Sequence, residues 1–258
     1  MPSKLVFFDI DGTLISHVGG SHVPRETDEA IALIKKADHI PAIATARNLA
    51  MTRTTAARFG IGLLVCCNGA HVVVNGESIH GEWLDSGFLS TFRKRLAPFS
   101  ENASALDADF VYTGQTSDEF ERYLLEQSGF DCRKSLNELS RAHLAYVYSD
   151  HLAQTLADAK SGLENVDFYE MRWYTEIRPK GVSKWVGIQK AARFLGFPEE
   201  EIVTVGDGSN DVEMLKNAPL GIAVGGAAAE AKSAADEVVG DIDSGGILDV
   251  FRRLEILK

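Results

Sequence analysis

The sequence predicts an α/β fold: a parallel-sheet core with an α+β segment inserted in its middle. Three observations predict it. Short apolar runs alternate with helical repeats at both ends of the chain, the pattern of right-handed strand–helix–strand crossovers. The runs are apolar at every position, as in strands buried on both faces. Between about residues 82 and 179 the rhythm breaks, and strand-like pieces mix with helices, as in a separate module with an antiparallel sheet.

Each element follows from its own stretch. KLVFF (4–8) is a first buried strand. TDEAIALIKKA (27–37) spaces Ile31, Ile34 and Ala37 for a helix, with Thr27 as its N-cap. IPAIAT (40–45) is a second strand, and NLAMTRTTAARFG (48–60) a helix that Gly60 stops. LLVCC (63–67) is a third strand, and HVVVNGESIH (71–80) a hairpin about Asn75–Gly76. GFLSTFRKRLA (87–97) opens the insertion as a helix. FVYTG, LAYVYS, VDFYEM and WYTEIR are its strands, with helices over 117–129 and 151–160. The alternation then resumes with a helix over 181–196, EIVTVG (201–206), a helix over 210–218, and LGIAVG (220–225). Helices over 227–235 and 245–257 flank a short strand, DEVVG. Residues 1–81 and 180–258 are thus the core, and 82–179 the insertion, with hinges near Gly81 and Pro179–Gly181.

Bulk composition narrows the function. The 258 residues are 45% hydrophobic, enough for a packed core, and carry a net charge of −11. No basic patch suggests nucleic acid, and no run nears the roughly 20 apolar residues of a membrane span. The N-terminal apolar segment is too short for a secretory signal. The expectation is a cytoplasmic protein, monomer or homodimer, with neither nucleic acid nor membrane as partner. Cys66, Cys67 and Cys132 lack zinc spacing and are too few for a disulfide framework, so they are expected as buried thiols. His17, His22, His71, His80, His143 and His151 show no ligand spacing and are expected at the surface or in loops; His39 has no obvious partner.

The chemistry gathers at strand ends, where open α/β sheets bind ligands. Asp9 and Asp11 follow LVFF, Thr45 and Arg47 follow IPAIA, and Asp207 follows IVTVG, with Asn210 and Asp211 just beyond. Lys184 lies near the start of the helix that re-enters the core. Carboxylates so close repel one another, and a chain normally avoids the pairing unless a cation or a substrate needs both. Magnesium takes oxygen ligands and often uses only one or two carboxylates plus a substrate phosphate. Asp9 could then attack phosphorus, and Asp11 could protonate the leaving oxygen and later take a proton from water. Gly12 lets the chain turn so that backbone N–H groups face the phosphate. Thr45 can donate to a phosphoryl oxygen, and Lys184 can neutralise phosphate and nucleophile together.

The motifs DIDGT, ATAR, Lys184 and GDGSND, in this order, resemble those of the haloacid dehalogenase-like phosphohydrolases. NGA (68–70), PKGVSKWVGI and GDGSNDVEML resemble the Cof-like branch. The resemblance implies a Rossmann-like core, with the insertion as an α/β cap between the second and third motifs. It implies Asp9 as nucleophile and Asp11 as acid/base. Magnesium would be held by Asp9, the Asp11 backbone carbonyl and Asp207, with Asp211 in support. Thr45, Lys184 and Asn210 would bind phosphate. Ala46 departs from the usual glycine of the second motif, and Gly225–Gly226 replaces a frequent Met-Gly-Asn. The implied reaction is phosphate release from a small phosphorylated metabolite: a sugar phosphate, a polyol phosphate or a phosphorylated cofactor. A phosphomutase using the same aspartyl-phosphate, and a non-catalytic metabolite-binding regulator, are the alternatives. Arg172, Trp173 and Tyr174 are expected first as core or surface residues, then as substrate contacts.

Overall fold

The computed structural model describes residues 3–96, 103–113, 133–148, 163–170 and 174–253. The helical readings at 117–129 and 151–160 lie outside these, as do Cys132, His151, Arg172 and Trp173. The first sheet holds β1 (Leu5–Phe8), β2 (Ile40–Ala44), β3 (Leu63–Cys66), β4 (His71–Val74), β5 (Glu77–Gly81), β12 (Ile202–Gly206), β13 (Leu220–Ala223) and β14 (Glu237–Val238). Their order is β14-β13-β12-β1-β2-β3-β4-β5. The strands from β14 to β3 run parallel, and the β4–β5 hairpin adds an antiparallel edge. The chain winds outward from β1 in both directions. The switch point, and with it the ligand crevice, falls between β1 and β12.

Period-2 alternation sorts β1 onto two cores. Val6 and Phe8 pack with Ile31, Ile34, Met51 and Phe251, from helices α1 (Arg25–Lys36), α2 (Leu49–Phe59) and α7 (Gly246–Arg253). Leu5 and Phe7 pack on the other face with Trp185, Ile188 and Met214, from α4 (Lys184–Leu195) and α5 (Val212–Asn217). Helices therefore cover both faces, which is why KLVFF has no polar face. Helix α1 starts at Arg25, two residues before the expected Thr27 cap. Pro24 holds the N-cap position in extended geometry, and Thr27 is buried inside the helix. Asn48 caps α2 by accepting from the Met51 N–H at 3.0 Å, and Gly60 ends that helix at φ 57°.

The second sheet is ordered β10-β11-β9-β6-β7-β8, from β6 (Ala103–Leu106), β7 (Val111–Thr113), β8 (Arg133–Ser135), β9 (Leu144–Tyr148), β10 (Val166–Glu170) and β11 (Tyr174–Pro179). Its pairs are antiparallel except β7 with β8. Strands β6 and β8 were not expected. Neither has a β-branched residue, and pairing with their neighbours overrides the weak local preference. Ala105, Ala145, Val147 and Ile177 pack against Phe88, Leu89 and Phe92 of α3 (Ser86–Leu96). The opposite parity turns Leu106, Leu144 and Tyr146 toward the first core. There the Asp107–Phe110 turn docks on the start of α2. The Ala108 carbonyl accepts from the Ala50 N–H at 3.0 Å, and the Phe110 carbonyl from Asn48 Nδ2 at 3.2 Å. The turn thus serves donors that a helix N-terminus leaves open.

Two histidines expected in loops or at the surface are buried. His143 stacks on Trp83 at 3.6 Å and on His71 at 4.7 Å, and Arg141 lies 4.3 Å over the Trp83 ring. Nδ1 of His143 lies 2.6 Å from the Glu82 carbonyl, so that nitrogen donates. Burial pushes the His143 pKa down to about 4, against the hydrogen bond to Glu82. Between that value and the ordinary 6.5 the unfolded chain binds the extra proton. Stability is therefore lost as pH falls through this window. His143→Asn keeps a donor and does not titrate. Urea midpoints at pH 7.5 and pH 5 should differ less in this variant than in the wild type, by the equivalent of about 1–2 kcal/mol.

Candidate active site

The crevice between β1 and β12 gathers most of the expected residues. Asp9 directly follows β1, and its N–H donates to the Val205 carbonyl of β12 at 3.0 Å. Lys184 is the first residue of α4, where the Ser183 side chain caps the helix. Its ammonium is fully buried, 2.7 Å from Asp9 Oδ1 and 2.6 Å from Asp211 Oδ1. The other Asp211 oxygen accepts from the Asp207 and Gly208 N–H groups, each at 2.9 Å. Asp211 thus clamps the loop after β12 while helping to neutralise Lys184. Asp207 accepts from Thr13 Oγ1 at 2.6 Å.

Two glycines allow these approaches. Gly12 has φ 86°, and a Cβ there would stand 2.3 Å from Asp207 Oδ2. It makes the expected turn, but its own N–H donates to the Ile15 carbonyl at 2.9 Å, not toward the crevice as expected. Gly69 has φ 100°, and a Cβ there would meet the Ser183 carbonyl at 1.9 Å. Its absence lets α4 start against the 67–69 loop and so places Lys184. The left-handed strain at this end of the sheet falls on Cys67 and Asn68, φ 50° and 51°, and not on Ala46. That loop is tied to the second motif: the Cys67 and Asn68 N–H groups donate to the Arg47 and Thr45 carbonyls, each at 2.9 Å. Cys66, the last residue of β3, and Cys67, the first of the loop, are both buried. Burial pushes the Cys66 thiol up to about 12 and holds Cys67 well above its ordinary value, which keeps both inert.

Asp11 stands apart from the acid cluster. Arg47 holds it in a fork, Nε to Oδ2 at 2.8 Å and Nη2 to Oδ1 at 2.5 Å. His17 Nε2 adds a contact at 3.0 Å. Burial alone pushes the Asp11 carboxyl up, but Arg47 and His17 outweigh it and hold the pKa below its usual range. Asp11 is therefore ionised at neutral pH in this arrangement. Thr45 is buried, with its hydroxyl accepting from the Arg47 N–H at 3.2 Å. Asn210 Nδ2 donates to Asn68 Oδ1 at 3.1 Å. His17, Thr13 and Asn68 were not singled out for the site in the sequence. The Asn68-Gly69 pair was the usable signal, a turn dipeptide that no hairpin absorbs.

Oxygens of Asp9, Asp207 and Asp211 all lie within 4.8 Å of one another. Burial first, then Asp211 and Asp207, push Asp9 up to about 8 against the pull of Lys184. Burial, with Asp211 assisting, pushes Asp207 up to about 6 although Thr13 donates to it. One lysine therefore does not balance three acids, and an all-oxygen donor set of this charge fits a hard dication.

Such a crevice, with acids and a buried lysine at the switch point of a doubly wound sheet, defines an enzyme site for an oxyanion and a hard cation. The chain belongs to the haloacid dehalogenase-like hydrolases, in their Cof-like branch: the sequence model of that family matches residues 6–251. YkrA of Bacillus subtilis (strain 168) is 27% identical over 266 residues, covering 100% of both chains. A phosphoglycolate phosphatase of Aeropyrum pernix is 24% identical, covering 97% of this chain and 93% of its own. The fold is shared with the subclass IIB sugar phosphatase BT4131, TM-score 0.85 at 23% identity, over 98% of this chain and 100% of that one. Among the described residues no helix is long and apolar enough to cross a membrane.

Proposed function

We propose that this hydrolase is a magnesium-dependent phosphatase of small phosphorylated metabolites, working through an aspartyl-phosphate on Asp9. The pairing of Asp9 with a fully buried Lys184, beside Asp207 and Asp211, carries this reading. A carboxylate oxygen of Asp9 attacks phosphorus as the bond to the substrate alcohol breaks. Asp11, once protonated and free of Arg47, gives its proton to the leaving oxygen. It then takes a proton from the water that attacks phosphorus, releasing inorganic phosphate and Asp9. Lys184, Thr45, Asn210 and the released Arg47 hold the phosphoryl oxygens. Asp9, the Asp11 carbonyl and Asp207 would hold magnesium, with Asp211 behind them. The bound ion supplies positive charge where negative charge builds on the transferring group.

Residues 1–81 and 180–258 form the catalytic core in this reading, and 82–179 the cap. The cap would choose the substrate, since the core residues grip only phosphate. Relatives named for phosphoglycolate, and for an aminoribitylaminouracil phosphate, support a small metabolite. Phosphate release from an aryl phosphate, with magnesium and with chelator, tests the reading; equal rates in both would overturn the metal requirement.

Asp11→Asn should slow turnover of alkyl phosphates by roughly 10²–10⁴. Aryl phosphates, whose leaving group needs less protonation, should lose less. Equal losses for the two classes would show that Asp11 is not the general acid.

A further inference from the structure

One chain of hydrogen bonds runs from the second sheet into the crevice. Glu176 of β11 accepts from Asn68 Nδ2 at 2.7 Å, and Asn68 Oδ1 accepts from Asn210 Nδ2 at 3.1 Å. Glu176 also accepts from Arg178 Nε, two residues along the same strand. Glu176 and Arg178 are each 2% exposed, and Asn68 is fully buried. The Arg178 guanidinium lies 3.9 Å over the Tyr169 ring. Glu176 faces the first core because it pairs directly with Tyr146, which packs there.

The order of atoms matters. A carboxylate paired with a guanidinium offers acceptors only. Asn68 must therefore turn its amide nitrogen to Glu176 and its oxygen to Asn210. Asn210 must answer with an N–H. Its own oxygen is packed against Gly208, where a Cβ would stand 2.5 Å away. Among the described residues the other amide N–H of Asn210 has no protein acceptor, which leaves it for a ligand. Without the carboxylate, both amides could flip, and Asn210 would present oxygen to an anion as readily as nitrogen.

We propose that Glu176 is a positioning residue for phosphate: acting through Asn68, it fixes which end of the Asn210 amide the phosphoryl group meets. This rests on the phosphate role proposed for Asn210 above. It makes the phosphate site complete only when the second sheet is docked. Docking and phosphate binding are then coupled, each favouring the other.

Inorganic phosphate, measured as a competitive inhibitor of aryl-phosphate hydrolysis, is the probe. Glu176→Met keeps the length and removes the acceptor. It should raise the inhibition constant about tenfold, equivalent to about 1.4 kcal/mol. Asn68→Ala should do the same, and the double variant should bind phosphate no worse than Asn68→Ala alone, because both cut one chain. Glu176→Met strands a buried Arg178 charge, so Glu176→Met with Arg178→Met is made alongside; it removes both charges and should show the same tenfold loss. A merely structural Glu176 would lower the urea midpoint and leave the inhibition constant unchanged. An unchanged constant in the folded variants, or additive losses in the double variant, overturns the proposal while leaving the phosphatase reading intact. A wild-type chain that neither hydrolyses aryl phosphate nor responds to phosphate overturns both.

Discussion

Lys184→Met should be among the most damaging single changes to both fold and activity. The lysine is fully buried between Asp9 and Asp211. Burial alone lowers its pKa, but Asp211 and Asp9 outweigh that and hold the ammonium above its ordinary range. Removing it leaves acids facing one another without their cation. Breaking one side of a buried pair typically costs about 3–5 kcal/mol. The sign with pH is fixed by the raised lysine pKa: its contribution is fully present below the ordinary value of 10.5 and fades only above it. The loss should therefore persist across neutral pH. Urea denaturation in chelator should show the full cost, and magnesium should restore part of it by screening the same carboxylates. Turnover should fall roughly 10²–10³-fold or more, since fixed charge at the transferring group is lost. A variant with wild-type stability and rate would remove Lys184 from the centre of the site.

Asp9→Asn should behave in the opposite way, losing activity and keeping the fold. An amide is not a nucleophile toward phosphorus, so turnover should drop by roughly 10⁴-fold or more. No phosphorylated protein should be trapped on acid quench. Stability should not fall. Asp9 is pushed up to about 8, so the folded chain binds a proton there that the unfolded chain releases above about 3.8. The group costs stability as pH rises through that interval, and an amide does not. At pH 8 in chelator the variant should unfold at a urea concentration no lower than the wild type. Substantial turnover, or a large loss of stability in chelator, would contradict the role assigned to this residue.

The two variants separate what the sequence determined from what tertiary structure decided. The sequence determined the parallel core, because KLVFF, IPAIAT and IVTVG are apolar on both parities and only strands covered on both faces need that. It determined which acids and which lysine lie near strand ends, since strand and loop positions follow from local pattern. It also carried the family through motif order. Strands β6 and β8 were not legible, because ASAL and RKS have no preference of their own and pair only once β9 and β7 exist. The sequence separated the roles of Asp9 and Asp11 but not their partners: Asp9 faces Lys184, while Asp11 is held by Arg47 and His17. Nor did any local pattern tie Asn68 to Glu176, 108 residues apart in the chain. Hydrogen-bond direction and charge balance depend on which groups arrive from distant segments. Strand order within the first sheet brings Lys184 to Asp9 and Arg47 to Asp11, and the packing of the two sheets brings Glu176 to Asn68.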